Sequence, residues 1–146
     1  MCGSFALSAK TKDIEKLKSL NSNNYEFEPK TNIFPLQKIP IIKNTSKNEL
    51  SEANWGLIPS WAKDKKIAKS LFNARAETIN EKPSFRNSFK NKRCLIPATQ
   101  FYEWKQVPNS KYKEKYTISV LNTKIFFFAG LWDIYYDENK LPILST

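Results

Sequence analysis

The chain has 146 residues, 40% of them apolar, and carries 24 Lys and Arg against 14 Asp and Glu, a net charge of +10. That length suits one domain with a real core. The composition argues against several classes: three glycines are too few for a Gly-rich phosphate loop, and no run of about 20 apolar residues offers a membrane span. With no histidine and only two cysteines, Cys2 and Cys94, neither a zinc site nor a disulfide framework is expected.

The first predicted element is a short strand over Cys2 to Ser8, with Phe5 and Leu7 on one face. Thr11 then reads as a helix cap, with Asp13 and Glu15 in the first turn and Ile14, Leu17 and Leu20 as the apolar stripe. Residues 21–32 are polar and read as a loop. Ile33 to Ile42 reads as an edge strand because it holds Pro35 and Pro40. A turn is expected over Asn44 to Leu50, and a strand over Trp55 to Ile58, closed by Pro59. Ser60 to Lys69 is a basic loop or short helix, and Phe85 to Phe89 one helical turn. Strands follow over Cys94 to Pro97, Phe101 to Trp104, Tyr116 to Leu121 and Ile125 to Trp132, and Leu141 to Leu144 begins another. The expected fold is α+β but mostly β: a single domain over residues 1–146, without repeats or a linker.

Charge and aromatic content point to a partner. A basic chain with 4 Trp, 6 Tyr and 10 Phe suits single-stranded nucleic acid, a polyanion with flat bases. Lysine and asparagine enrichment equally reflects coding bias in an AT-rich genome, so composition leaves this open. No secretory signal precedes residue 10, and the default compartment is the reducing cytoplasm.

Three elements carry potential chemistry. Cys2 follows the initiator Met1; once Met1 is removed, it offers an α-amine and a thiol on adjacent carbons. The amine can form a Schiff base with an aldehyde, and the thiol can close onto the imine carbon as a thiazolidine. An internal cysteine has no free amine and cannot do this. Taken alone, a single cysteine is more often a core residue. Glu103, in Phe101-Tyr102-Glu103-Trp104-Lys105, is a carboxylate among aromatics whose burial would make it a usable general acid; taken alone it reads more readily as an exposed strand Glu paired with a lysine. In Asn73-Ala74-Arg75-Ala76-Glu77-Thr78, Asn73 could orient a sugar or carbonyl and Arg75 could hold a phosphate; the plain alternative is a capped turn with an Arg–Glu pair. Trp61 and Trp104 could stack bases or serve the core.

Taken in order, the blocks Met1-Cys2-Gly3, Trp55-Gly56-Leu57-Ile58-Pro59-Ser60-Trp61, Asn73 to Thr78, Arg93-Cys94-Leu95-Ile96-Pro97-Ala98, Phe101 to Lys105 and Phe128-Ala129-Gly130-Leu131-Trp132 resemble the SOS-response-associated peptidase (SRAP) family, which processes abasic sites. The resemblance runs from residue 1 to about residue 132. It implies a barrel-like β domain with short flanking helices and a basic channel for single-stranded DNA. It implies that Cys2 forms a thiazolidine with the ring-opened abasic deoxyribose, shielding the lesion, with autoproteolytic loss of Met1 and lyase-type activity. Asn73 would position the sugar or the Cys2 amine, and Glu103 would serve as general acid–base. Gly3, Pro35, Trp61, Arg75 and Trp104 would contact DNA. The implied protein is a cytoplasmic, nucleoid-associated monomer that uses no cofactor or metal and touches no membrane. Two departures stand out: Ser4 occupies a position where the family usually carries Arg, and the family's histidine-bearing C-terminal motif is absent, so the domain is expected to be incomplete at the C-terminus. Two other readings remain. One is a non-covalent binder of single-stranded DNA that keeps Met1. The other is a thiol peptidase, which lacks a histidine to activate Cys2.

Overall fold

The computed structural model describes residues 2–18, 20, 25–45 and 49–146. Among these residues lie ten strands: β1 Phe5–Leu7, β2 Lys30–Ile33, β3 Lys38–Lys43, β4 Leu50–Asn54, β5 Arg93–Ala98, β6 Gln100–Gln106, β7 Lys113–Ile118, β8 Phe126–Leu131, β9 Asp133–Tyr136 and β10 Pro142–Ser145. The helices are α1 Thr11–Lys18 and α2 Arg86–Asn91, joined by 3₁₀ turns at Lys65–Ser70 and Ala76–Thr78. The chain is therefore mostly β with short helices, as expected. One sheet has the order β2-β1-β6-β7 and the other β8-β5-β3-β4-β10-β9. The inter-strand ladders are antiparallel apart from β4–β10, which is parallel at Ser145 and Asn54.

A single residue passes the chain from one sheet to the other. β5 ends at Ala98 and β6 starts at Gln100. Between them Thr99 donates both its N–H (2.8 Å) and its hydroxyl (3.1 Å) to the Ala6 carbonyl, and its Oγ1 accepts from Ser8 N at 3.2 Å. The crossing clamps β1 against β6 and brings the segment before β1, with Cys2, over the face of β5. Beneath it Phe5 is 1% exposed, with its ring 5.1 Å from Trp55 and 5.8 Å from Phe128, both edge-on. Burying such a side chain is worth about 2–3 kcal/mol, so this aromatic group fixes the floor on which the N-terminus rests.

Several boundaries differ from the sequence expectation. Strand β1 starts only at Phe5, so Cys2 lies in irregular backbone ahead of it. Thr11 is the first residue of α1 rather than its cap: its hydroxyl accepts from Phe27 N at 3.4 Å, and the Asp13 carboxylate reaches back to Lys10 N at 3.1 Å. The expected 21–32 loop contains β2, while 21–24 lie outside the described residues. The Ile33 to Ile42 stretch is broken at Pro35 by a turn in which Leu36 takes φ 72°. Strand β3 is interior rather than an edge. It tolerates Pro40 because β5 pairs with β3 only at Ile42 and Lys43, beyond the missing N–H. Residues 46–48 of the expected 44–50 turn also lie outside the described residues.

Trp55 to Ile58 is not a strand. The strand is β4, whose sequence Leu-Ser-Glu-Ala-Asn carries no apolar alternation, and the chain bends at Gly56, where φ is 137°. A Cβ there would meet the Ala68 carbonyl oxygen at 2.6 Å, so glycine is required twice over, by conformation and by space. β7 begins three residues earlier than expected, through the charged Lys113-Glu114-Lys115; β8 fills the expected Ile125 to Trp132 strand, and β9 follows it as a strand that the sequence reading did not include.

Candidate functional site

Cys2 is held from both sides. Its Sγ donates to the Ser4 carbonyl at 3.2 Å, and its own carbonyl accepts from Asn73 Nδ2 at 2.8 Å. Asn73 is far away in sequence and is brought there by Trp55. The indole Nε1–H donates to Phe72 O at 2.9 Å, and Leu57 N donates to Leu71 O at 3.0 Å, so the 71–73 segment is laced to the residues that follow β4. Trp55 thus ties the aromatic floor to the residue that grips the Cys2 carbonyl. In the sequence this tryptophan stands in a motif without an assigned role.

Glu103 approaches from the other side. Ser4 O accepts from Tyr102 N at 3.1 Å, which continues the β1–β6 ladder beyond Phe5 toward Cys2. Burial pushes the Cys2 thiol up. Backbone hydrogen bonding at Ser4 offsets this in part, and the negative charge of Glu103 adds to the rise. The group is therefore a protonated thiol at neutral pH. Glu103, the carboxylate whose charge acts on it, is half-buried. Strand alternation sends Tyr102 and Trp104 to the opposite face of β6 from Glu103. The aromatics that share its face are Phe101, two residues back on β6, and Tyr116, its cross-strand partner on β7.

Cys2 and Asn73 line a cavity of about 410 Å³ whose walls are mainly apolar, among them Phe5, Phe72 and Phe128. Arg93, Cys94 and Thr146 add its polar groups. The volume exceeds that of a sugar ring, and its polar groups are few, as small-molecule sites are generally built. Cys94 is buried, and burial pushes its thiol up to about 11.

The remaining sequence candidates sit around this centre rather than in it. Gly3 and Pro35 are partly buried. Arg75 is exposed, two residues past Asn73, at the start of a 3₁₀ turn. Trp61 is 57% and Trp104 45% exposed, so neither serves the core. Trp61 follows Ser60, whose N–H donates to the buried Asp133 carboxylate at 2.9 Å. Lys115 lies over the rings of Tyr102 and Trp104, 3.8 and 5.9 Å from their centroids. Ser4, where the resemblance usually has Arg, is 1% exposed and contributes its carbonyl. Met1 lies outside the described residues, and the expected loss of Met1 with it. Among the described residues no helix is long and apolar enough to cross a membrane.

Comparison with known proteins places this geometry. The family described as SOS response associated peptidase (SRAP) matches residues 1–146. The abasic site processing protein YoqW of Bacillus subtilis (strain 168) is 44% identical over 150 residues, covering 99% of this chain and 66% of that protein. The abasic site processing protein YMR114C of Saccharomyces cerevisiae is 28% identical over 171 residues, covering 97% of this chain and 45% of that protein. A crystal structure of a protein from Bacteroides thetaiotaomicron superposes with a TM-score of 0.87 at 31% identity, covering 99% of this chain and 66% of that one. The chain thus spans about two thirds of the length of its bacterial relatives.

Proposed function

The chain belongs to the SOS response associated peptidase family, and from that premise we propose that it binds single-stranded DNA at abasic sites and links itself covalently to the lesion through Cys2. The observation that carries this reading is the convergence at Cys2: its carbonyl is held by Asn73, its thiol feels the charge of Glu103, and Cys2 and Asn73 together line a cavity.

The chemistry follows from those neighbours. Hydrolysis of the Met1–Cys2 peptide bond frees the Cys2 amine, with Asn73 holding the Cys2 carbonyl and Glu103 placed to move the proton. The amine adds to the C1′ aldehyde of the ring-opened deoxyribose, and the resulting carbinolamine loses water to give a Schiff base. Sγ then adds to the imine carbon and its proton passes to the nitrogen, closing a thiazolidine. Thiazolidine formation releases one water, the removal of Met1 consumes one, and no redox partner is needed. A thiol kept protonated until this step suits the order, because the amine rather than the sulfur attacks first. The Glu103 carboxylate takes the proton that the amine gives up on adding to the aldehyde and returns it as water leaves, a role that contributes about 100-fold or more. Arg75, Trp61 and Trp104 would hold the strand through a phosphate contact and base stacking, with Gly3 and Pro35 lining its path.

The test is incubation with a single-stranded oligonucleotide carrying one abasic site, followed by heating in denaturant and electrophoresis. A heat-resistant band with the abasic oligonucleotide and none with the undamaged one supports the proposal. Native binding that vanishes on denaturation would leave a non-covalent binder instead.

A further inference from the structure

The two-stranded ribbon β6–β7 has two faces that the sequence does not distinguish. Antiparallel register pairs Phe101 with Ile118, Glu103 with Tyr116 and Lys105 with Glu114 on one face, and Tyr102 with Thr117, Trp104 with Lys115 and Gln106 with Lys113 on the other. Phe101 of the first face packs against the same buried core as Cys2, so that face is the one that turns toward the reactive end of the chain. Phe101 on this face packs against the core, so its exposed aromatic is Tyr116, whereas Trp104 stands on the reverse with Lys115 over its ring. The Tyr116 ring is 45% exposed although it lies directly across the strands from Glu103. Its hydroxyl donates to Glu114 Oε2 at 3.2 Å, two residues back on the same face, which fixes the ring's heading along the ribbon.

We infer that Tyr116 is a stacking platform for the base that flanks the lesion. The inference rests on the reading above and extends it to a residue that neither the motifs nor the cavity singles out. An abasic nucleotide has no base, so the neighbouring base loses a stacking partner on that side. If the abasic sugar sits at Cys2 beside Glu103, the flanking nucleotide reaches one residue's breadth further across the ribbon, where cross-strand neighbours lie about 5 Å apart. A half-exposed phenol ring there replaces the missing stacking partner, and such contacts are tolerant of sequence because every base has a π-face. The ring's position on an edge strand also means that its truncation removes little core.

The experiment compares wild type, Tyr116→Ala and Tyr116→Phe on two abasic oligonucleotides: one with purines on both sides of the lesion and one with tetrahydrofuran spacers there. Apparent affinity is read by native titration and crosslinking by denaturing gel. On the purine-flanked strand Tyr116→Ala weakens affinity roughly ten-fold, while Tyr116→Phe stays within about two-fold of wild type. On the spacer-flanked strand Tyr116→Ala and wild type bind alike, because no base remains to stack. An equal loss on both strands would show a structural effect and overturn the inference. So would the absence of any loss, or a Phe variant as weak as the Ala variant. Wild type that crosslinks while Tyr116→Ala behaves identically overturns this inference alone; wild type that neither binds nor crosslinks removes the proposed function and this inference with it.

Discussion

Cys2 and Cys94 are the same side chain in two regions of one cavity wall, and their surroundings give them opposite prospects. Cys2 lies in irregular backbone before β1, half-buried, with a carboxylate acting on its thiol and an amide on its carbonyl. Cys94 lies within β5, 5% exposed, its Sγ 3.3 Å from Thr146 Oγ1 and packed over Gly130 on β8. Burial raises both thiols, so thiolate character does not separate them. What separates them is position in the chain: Cys2 can acquire a free amine next to its sulfur, and Cys94 cannot. In the proposed reaction, reactivity toward an aldehyde is thus set by the backbone, and the thiol only completes a ring that the amine has begun.

The largest effect expected from that contrast is on covalent capture. Cys2→Ser should eliminate the heat-stable adduct with abasic DNA and leave at most a Schiff base trapped by borohydride. Cys94→Ala should crosslink at the wild-type rate. Equal heat-stable yields from Cys2→Ser and wild type would break the comparison at its root.

Next comes the carboxylate. Glu103→Gln should slow crosslinking about 100-fold at neutral pH with little loss of DNA affinity, since it removes the group that carries the proton and keeps the shape. Stopped time courses on one abasic oligonucleotide check this; an unchanged rate would take Glu103 out of the chemistry.

The Cys94 side is tested through stability. A Cβ on Gly130 would stand 2.8 Å from Cys94 Sγ and 2.9 Å from Ile96 Cδ1. Gly130→Ala should therefore cost about 1–3 kcal/mol in denaturant unfolding, as overpacking does, and part of that cost should return in the Cys94→Ala background. Strict additivity of the two substitutions would show that Sγ is not the obstacle.

The smallest effect is a pH dependence. The Cys94 thiol titrates near 9.0 when unfolded and near 11 when folded, so between those values the unfolded chain has released a proton that the folded chain still holds. Its contribution is fully present below about pH 9 and is lost as pH rises toward 11. By pH 10 wild type should have lost about 1 kcal/mol more than Cys94→Ala. A stability difference between the two that stays constant with pH would show that the thiol is not buried as described.

The sequence disclosed the parts of this site more readily than their arrangement. Cys2, Asn73 and Glu103 were legible because each stands in a distinctive block, and the alternating apolar runs located β5, β6 and β8. β4 and β7 were misplaced because Leu50–Asn54 and Lys113–Ile118 hold too few apolar residues to show a period. Hydrogen bonding to neighbouring strands, which no local pattern records, makes them strands. The same gap hid Tyr116, whose relation to Glu103 exists only through the β6–β7 register. Trp55 was visible as a residue, but its bond to Phe72 O, which sets Asn73 in place, spans 17 positions and has no sequence signature.

The central claim is that the bond to DNA forms at the N-terminal cysteine and uses both of its nucleophiles. The most direct measurement is mass spectrometry of the crosslinked protein after protease and nuclease digestion. The account predicts a single modified peptide that begins at Cys2, lacks Met1 and carries the ring-opened deoxyribose less one water, with no free thiol at that residue. A modified lysine, a peptide that keeps Met1, or an adduct in which the Cys2 thiol can still be alkylated would contradict it.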